Sequence, residues 1–256
     1  MRAATLLETI RRWTRRSEVF SHRGHCPICE RPVRFSARRS WFRDHLLCSG
    51  CGSIPRERAL MRVIKDHYPR YRELHIHESS PGGRGASLKL AQECPNYSAS
   101  QYIDGLPSGS IHADSGYRCE NLEALTFSDE SFDLFVTQDV MEHVFDPAQA
   151  FREIARVLRP GGAHIFTVPL VNKARKSECC ASRDADKGIV HHLPPEYHGN
   201  PVDQNGSLVT MRWGYDIACF ISETAGLPTA IVEIDNIDLG IRAEYIEVLV
   251  SFKMPR

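Results

Sequence analysis

The stretch from Cys119 to Pro169 limits the fold of this chain more than any other. Its polar beginning closes on the turn Ser128-Asp129-Glu130, and an apolar run from Phe132 to Thr137 reads as a buried strand. Phe151, Ile154, Ala155 and Leu158 then recur at i, i+3, i+4 and i+7, which predicts an amphipathic helix. Arg159-Pro160-Gly161-Gly162 stops that helix, with a glycine available for a left-handed cap. A second apolar run, Ala163 to Val168, reads as another strand. Strand, helix and strand within about 40 residues form a βαβ unit, whose two strands are parallel.

A different kind of constraint sits near the N-terminus. Cys26-Pro-Ile-Cys29 and Cys48-Ser-Gly-Cys51 are two C-x-x-C knuckles separated by 18 residues. Each knuckle turns two thiolates toward one point, and four thiolates suit tetrahedral Zn²⁺. Cys26, Cys29, Cys48 and Cys51 are therefore predicted to hold a structural zinc in a ribbon-like module over residues 22–58. A redox C-x-x-C is the alternative. Nine cysteines, with no framework among the other five, fit a reducing cytoplasm better than a disulfide scaffold.

Net charge is zero, but it is unevenly spread. Residues 1–72 hold 17 Lys/Arg against 6 Asp/Glu, a charge of +11, and the remainder holds 15 against 26, or −11. Arg31, Arg34, Arg38, Arg39 and Arg43 interleave with Phe35, Trp41 and Phe42, which suits phosphate contact and base stacking. RNA is thus a possible partner through residues 1–72. The competing reading has the aromatics in a small ribbon core, and the basic part docked on the acidic one. Residues 1–21 lack a secretory pattern and read as a basic amphipathic helix, with Leu6, Leu7, Ile10 and Trp13 on one face. No apolar run reaches the ~18 residues that a membrane span needs.

Residues 59–71 are a predicted linker helix, part of a helical run from Arg56 to Tyr71. Residues 72–256 are the main domain. A first strand, Tyr71 to Glu78, leads through Ser79-Ser80-Pro81-Gly82-Gly83-Arg84-Gly85 into a helix, Ala86 to Cys94. Strand, glycine-rich loop and helix open a Rossmann-like nucleotide site. Tyr97 to Tyr102 reads as a second strand, and Cys119 to Leu122 ends a third. Residues 171–210 have no strong periodicity and are long for a connection, so a lid over the cleft is expected. Met211 to Ala225 reads as a helix stopped by Gly226. Thr229–Asp235 and Glu244–Phe252 read as an antiparallel strand pair.

The runs SFDLFVTQDVMEHVFDP, AFREIARVLRPGG and IFTVP resemble the second half of a class I S-adenosylmethionine-dependent methyltransferase of the type 11 group. The likeness is good from about Arg72 to Thr167 and looser to Lys253. It implies an α/β fold, a Rossmann-like seven-stranded sheet with one antiparallel strand, to which the small N-terminal zinc ribbon predicted from the cysteine spacing is added. It implies S-adenosyl-L-methionine as cofactor, with Glu78, Gly82, Gly83, Asn121, Leu122, Gln138 and Asp139 in contact. In the family pattern E/D-x-G-x-G-x-G, Glu78 and Gly82 match, while Ser80 and Arg84 stand at the other glycine positions. The ribose contact is unassigned among Ser98, Ser100, Gln101 and Asp104.

His143, His191 and His198 are the catalytic candidates, as proton acceptors or acceptor contacts, with His192 and Tyr197 beside them in the lid. In the competing reading, Glu142 and His143 form a pair that braces the loop. The expected reaction is direct methyl transfer to a small molecule or saccharide. Two alternatives stay open: an RNA methyltransferase docked through the ribbon, and a non-catalytic protein with a degraded cofactor pocket.

Overall fold

The computed structural model describes residues 18–199 and 206–255. The expected helix over residues 1–21 lies largely outside them, but Phe20 and Ser21 are strand, not helix. Strands β1 (Phe20–Cys26), β2 (Arg31–Ala37) and β3 (Leu47–Cys48) form an antiparallel ribbon. A single helical turn, α1 (Phe42–His45), links the last two. Gly52 closes the second knuckle at φ +67, a left-handed conformation that glycine adopts without a Cβ penalty.

Helix α2 (Pro55–His67) follows directly. Proline at its first position and Glu57 accepting from the Ile54 N–H at 3.0 Å fix its start. It stops short of the expected Tyr71, and Tyr71–Glu73 is a 3₁₀ turn instead of strand. The first strand of the main domain is β4 (Ile76–Ser79), followed by α3 (Gly85–Glu93), β5 (Tyr97–Gln101), β6 (Arg118–Cys119) and β7 (Phe132–Gln138). Helix α4 (Pro147–Val157) starts on Asp146, whose side chain accepts from the Gln149 N–H at 2.9 Å. Strand β8 (Leu158–Thr167) begins where α4 ends, so Arg159 to Gly162 belong to a strand with a register shift opposite Phe132–Leu134.

Six short strands build the segment over the cleft. They are β9 (Glu178–Cys179), β10 (Ala181–Asp184), β11 (Gly188–His191), β12 (Tyr197–His198), β13 (Ser207–Leu208) and β14 (Met211–Arg212). The expected helix from Met211 is corrected here. Met211 and Arg212 pair with Cys179 and Glu178, and a Cβ on Gly214 would lie 2.1 Å from the Arg175 carbonyl. The helix itself, α5, runs only over Ile217–Ala225. Strands β15 (Thr229–Val232) and β16 (Val248–Phe252) end the fold.

The main sheet has the order β15-β16-β8-β7-β4-β5-β6. Strand β16 runs antiparallel to both its neighbours, and the other pairings are parallel. The pleat explains the core. Leu134, Val136, Ile165, Val248 and Val250 face α2 and α3, while the intervening Phe135, Phe166 and Leu249 face α4 and α5. Both faces are covered, which is why these strands read as unbroken apolar runs.

The ribbon shares the first of these cores through Phe35 and Leu46. Arg58 of α2, fully buried, locks the junction. Its guanidinium donates to the Leu46 carbonyl at 2.8 Å, the Gly240 carbonyl at 2.7 Å and the Ser53 carbonyl. Burial pushes this guanidinium down to about 10.

Candidate active site

A cavity of about 1010 Å³ opens at the carboxyl ends of β4, β5 and β7. In an open parallel sheet this is the edge where loops diverge and ligands enter. The sequence places three loops there. The first is Ser79 to Gly85. Ser80 sits at φ 57, so the loop keeps a left-handed turn without the glycine that the family pattern has there. The Gly82 N–H donates to Ser87 Oγ at 3.0 Å.

Glu78 lies beneath this loop and does not line the cavity. Its Oε1 accepts from Ser87 Oγ at 2.7 Å and Gln138 Nε2 at 2.8 Å, and its Oε2 from the Tyr97 hydroxyl at 2.9 Å. Burial pushes its carboxyl up, and these three donors offset part of the effect. Glu78 is therefore a buried tie between the first and fourth strands of the site.

The second loop follows β5, where Gln101, Tyr102, Ile103 and Asp104 line the cavity beside Asn121 and Leu122. Of the four residues left open for the ribose contact, Gln101 and Asp104 line this wall, and Asp104 is the carboxylate that the loop itself brings there. One Asn121 Oδ1 lone pair accepts from the Glu123 N–H at 2.9 Å.

The third loop, Gln138 to His143, departs most from expectation. Asp139 lines the cavity but its carboxylate is occupied. Oδ2 accepts from Arg43 Nη2 at 2.7 Å and lies 3.0 Å from Arg56 Nε, while Oδ1 accepts from Thr167 Oγ1 at 3.0 Å. Burial alone would raise this carboxyl; Arg43 and Arg56 outweigh that and hold it below the usual carboxylate range. Arg43 and Arg56 belong to the N-terminal part, and with Trp41, Asp44 and Glu57 they form one wall of the cavity. Composition hinted at them only as basic residues near the knuckles.

Glu142, His143 and His198 meet in the same cavity lining. Glu142 is buried, and neither carboxylate oxygen has a hydrogen-bond partner. His143 Nδ1 donates to the Leu208 carbonyl at 2.8 Å, which leaves Nε2 3.7 Å from Glu142 Oε1. His198 Nδ1 lies 3.8 Å from the same oxygen, and its Nε2 lies 3.5 Å from Glu196 Oε1. The Glu142 carboxylate raises the His198 imidazole above its ordinary value. One buried acid and two imidazoles whose ligand atoms fall within 4.8 Å could hold a shared proton or a divalent cation.

Other expected site residues lie elsewhere. His191 is exposed on β11 and does not line the cavity, and neither does Gly83. His192 bonds Ser182 Oγ at 2.9 Å, and Tyr197 is exposed. Lid attachment is local: Thr210 N–H donates to the Glu142 carbonyl at 2.8 Å, and the Trp213 indole donates to Met141 O at 3.1 Å.

The four cysteines converge away from the cavity. Their Sγ atoms lie within 4.8 Å of one another, with Cys26–Cys51 and Cys29–Cys48 each at 3.8 Å. Four thiolates about 2.3 Å from a central zinc would stand roughly 3.8 Å apart, so the set fits that ion. The Gly50 N–H points at Cys48 Sγ at 3.3 Å, as an outer-shell donor should.

Residues 98–166 match the family described as "Methyltransferase domain". A ubiquinone biosynthesis O-methyltransferase of Parvibaculum lavamentivorans (strain DS-1) is 34% identical over 106 residues, 40% of this chain and 41% of that protein. The protein of the same name from Caulobacter sp. (strain K31) is 27% identical over 201 residues, 66% of this chain and 79% of that one. The chain thus spans well under half the length of the first of these relatives. An S-adenosylmethionine dependent methyltransferase structure from Mesorhizobium loti superposes with a TM-score of 0.46 at 17% identity, over 76% of this chain and 97% of that one. No helix among the described residues is long and apolar enough to cross a membrane.

Proposed function

We propose that this chain, which carries a class I methyltransferase domain, transfers a methyl group from S-adenosylmethionine to a hydroxyl of a small-molecule or saccharide acceptor. The observation that carries this reading is that Glu142, His143 and His198 line the same cavity as the glycine loop Ser79–Gly82. When bound, S-adenosylmethionine supplies a methyl group on a sulfonium, which is already an activated electrophile. The protein's task is then to align the acceptor, exclude water and take a proton.

The loop Ser79–Gly82 would hold the methionine portion, Asp104 the ribose hydroxyls, and Asn121 with Leu122 the adenine. Glu78, Gln138 and Asp139 set the loops rather than touch the ligand. The acceptor hydroxyl enters on the side of His143 and His198. The cavity would hold its oxygen in line with the methyl group, and His198 would take the hydroxyl proton. Glu142 stabilises the resulting imidazolium. The names of the relatives, O-methyltransferases, support a hydroxyl acceptor.

Zinc held by Cys26, Cys29, Cys48 and Cys51 would be structural, because four thiolates leave no open position for chemistry. The paired state of many basic residues supports the small-acceptor reading over an RNA one. Arg34 pairs with Glu18, Arg43 and Arg56 with Asp139, Arg62 with Asp66, Lys65 with Glu30, and Arg72 with Glu93.

Transfer of labelled methyl from S-adenosylmethionine to a panel of phenolic and sugar hydroxyls tests the proposal. The expected result is labelled product that falls by at least about 10²-fold in His198→Gln. Full activity in that variant would remove His198 from the mechanism.

A further inference from the structure

Two residues at the cofactor edge share one explanation. Arg84 replaces a glycine of the first loop, and its Nε donates to Glu57 Oε1 at 3.0 Å. Asp139, in the third loop, receives Arg43 and Arg56. Glu57 and Arg56 lie in the first turn of α2, and Arg43 lies in α1, between the cysteine knuckles. Glu57 is itself buried, and Arg43 also donates to the Tyr245 carbonyl at 3.0 Å. A Cβ on Gly85, which sits at φ 61, would strike the Glu57 carboxylate at 2.2 Å, so α2 presses directly on the start of α3.

We infer that the four-cysteine module is a clamp on the cofactor cleft: through Glu57–Arg84 and through Arg43 and Arg56 on Asp139, it positions the glycine loop and the acidic loop together. Asp139 shows why a clamp is needed. It holds a left-handed φ of 53 just past the end of β7, with its partly buried carboxylate held by two arginines. Such a residue keeps that shape only while its surroundings over-determine it. If the thiolate cluster loosens, the turn Phe42–His45 loses its anchor and Arg43 leaves. Asp139 then has reason to turn toward solvent, and the loop Gln138–His143 follows. Ligand affinity at the cleft and integrity of the thiolate cluster are therefore coupled, each altering the other by the same factor. The arginines are positioning residues that act through Asp139. The coupling to cofactor rests on the proposed function; the coupling to loop geometry does not.

The test uses the full chain and two readouts, amide exchange and calorimetric affinity for S-adenosylhomocysteine. The reporting amides are Ser80, which donates to the Ser100 carbonyl at 2.8 Å, Asp139, which donates to the Thr167 carbonyl at 2.9 Å, and His143. Cys48→Ser and Arg43→Ala/Arg56→Ala should each speed exchange in both loops and weaken affinity about tenfold, within the range of ordinary coupling. Arg43→Lys/Arg56→Lys should recover most of the loss, since it keeps charge on Asp139. Combining Cys48→Ser with the alanine pair should add less than about twofold, as for sites on one linkage. Where Cys48→Ser does not fold, a zinc chelator added to the folded wild-type chain replaces it. Loosening of residues 20–51 with unchanged exchange at both loops would overturn the clamp, as would effects that multiply. Absence of ligand binding by the untreated protein would instead count against the proposed function, and the exchange readout would still decide the clamp.

Discussion

At the scale of single residues, the site turns on a few titrating groups. His198 sits between Glu142 and Glu196, and both carboxylates, the buried Glu142 most, raise its imidazole above the ordinary 6.5. A base must be neutral to accept a proton, so kcat/KM should rise with pH through an apparent pKa above 6.5. Glu142→Gln removes the charge that raises it, and a pH–rate profile should show the midpoint moving down. An unmoved midpoint would separate Glu142 from His198.

Two other imidazoles have the opposite character. His77 and His164 are buried, and burial pushes both down to about 3. The unfolded chain binds protons below pH 6.5 that the folded chain refuses until about pH 3. Stability is therefore full above 6.5 and falls as pH drops through that window, by up to about 1.4 kcal/mol per unit for each imidazole. Glu78 and Glu247, raised by burial, act in the other sense. Comparing urea midpoints at pH 6 and 5 for wild type and His164→Phe isolates the imidazole: the variant should lose less stability across that interval. These partners were not legible in the sequence. His77 and His164 stand in strands whose neighbours, Ser98, Ser100 and Thr137, are distant in the chain. Asp139 read as a cofactor contact, and its arginine partners were hidden because both lie more than eighty residues away.

At the scale of elements, period and punctuation carried most of the information. The βαβ unit at Phe132–Thr167 is present with its strands parallel, because a face of Phe151, Ile154 and Val157 has only one sheet to cover. Met211 to Trp213 misled for a local reason. Trp213, Ile217 and Ile221 have helical spacing, and all are buried, yet Met211 and Arg212 are pulled into strand pairing with Cys179 and Glu178. Trp213 therefore anchors lid to floor, and Trp213→Ala should cost about 3–5 kcal/mol in urea unfolding. A loss below about 1 kcal/mol would show the lid to be independent of that anchor. The ribbon offers a parallel test. Chelation should release one zinc per chain and open residues 20–51 to protease, since bound metal contributes folding free energy. An unchanged cleavage pattern with the metal gone would contradict a structural role.

At the scale of the molecule, the +11 and −11 halves look at first like two differently used parts. In the fold, part of that charge is paired from one part onto the other. Arg43 and Arg56 meet Asp139, Arg72 meets Glu93, and His22 bonds Asp238 at 2.7 Å. Docking between halves, one of the two readings that composition allowed, describes these residues. A polyanion at low salt should accordingly bind weakly, with a shallow salt slope; a steep slope would revive the nucleic-acid reading. The glycine loop looked degraded in sequence because Ser80 and Arg84 replace glycines. Folded, Ser80 holds the left-handed turn and Arg84 pairs with Glu57, so the cavity keeps its shape. Whether that cavity serves its expected ligand is the central claim, and calorimetric titration of S-adenosylmethionine into the full chain tests it most directly. A saturable heat at one site per chain, weakened in Asp104→Ala, is predicted; no binding with ligand and protein both raised toward millimolar would contradict it.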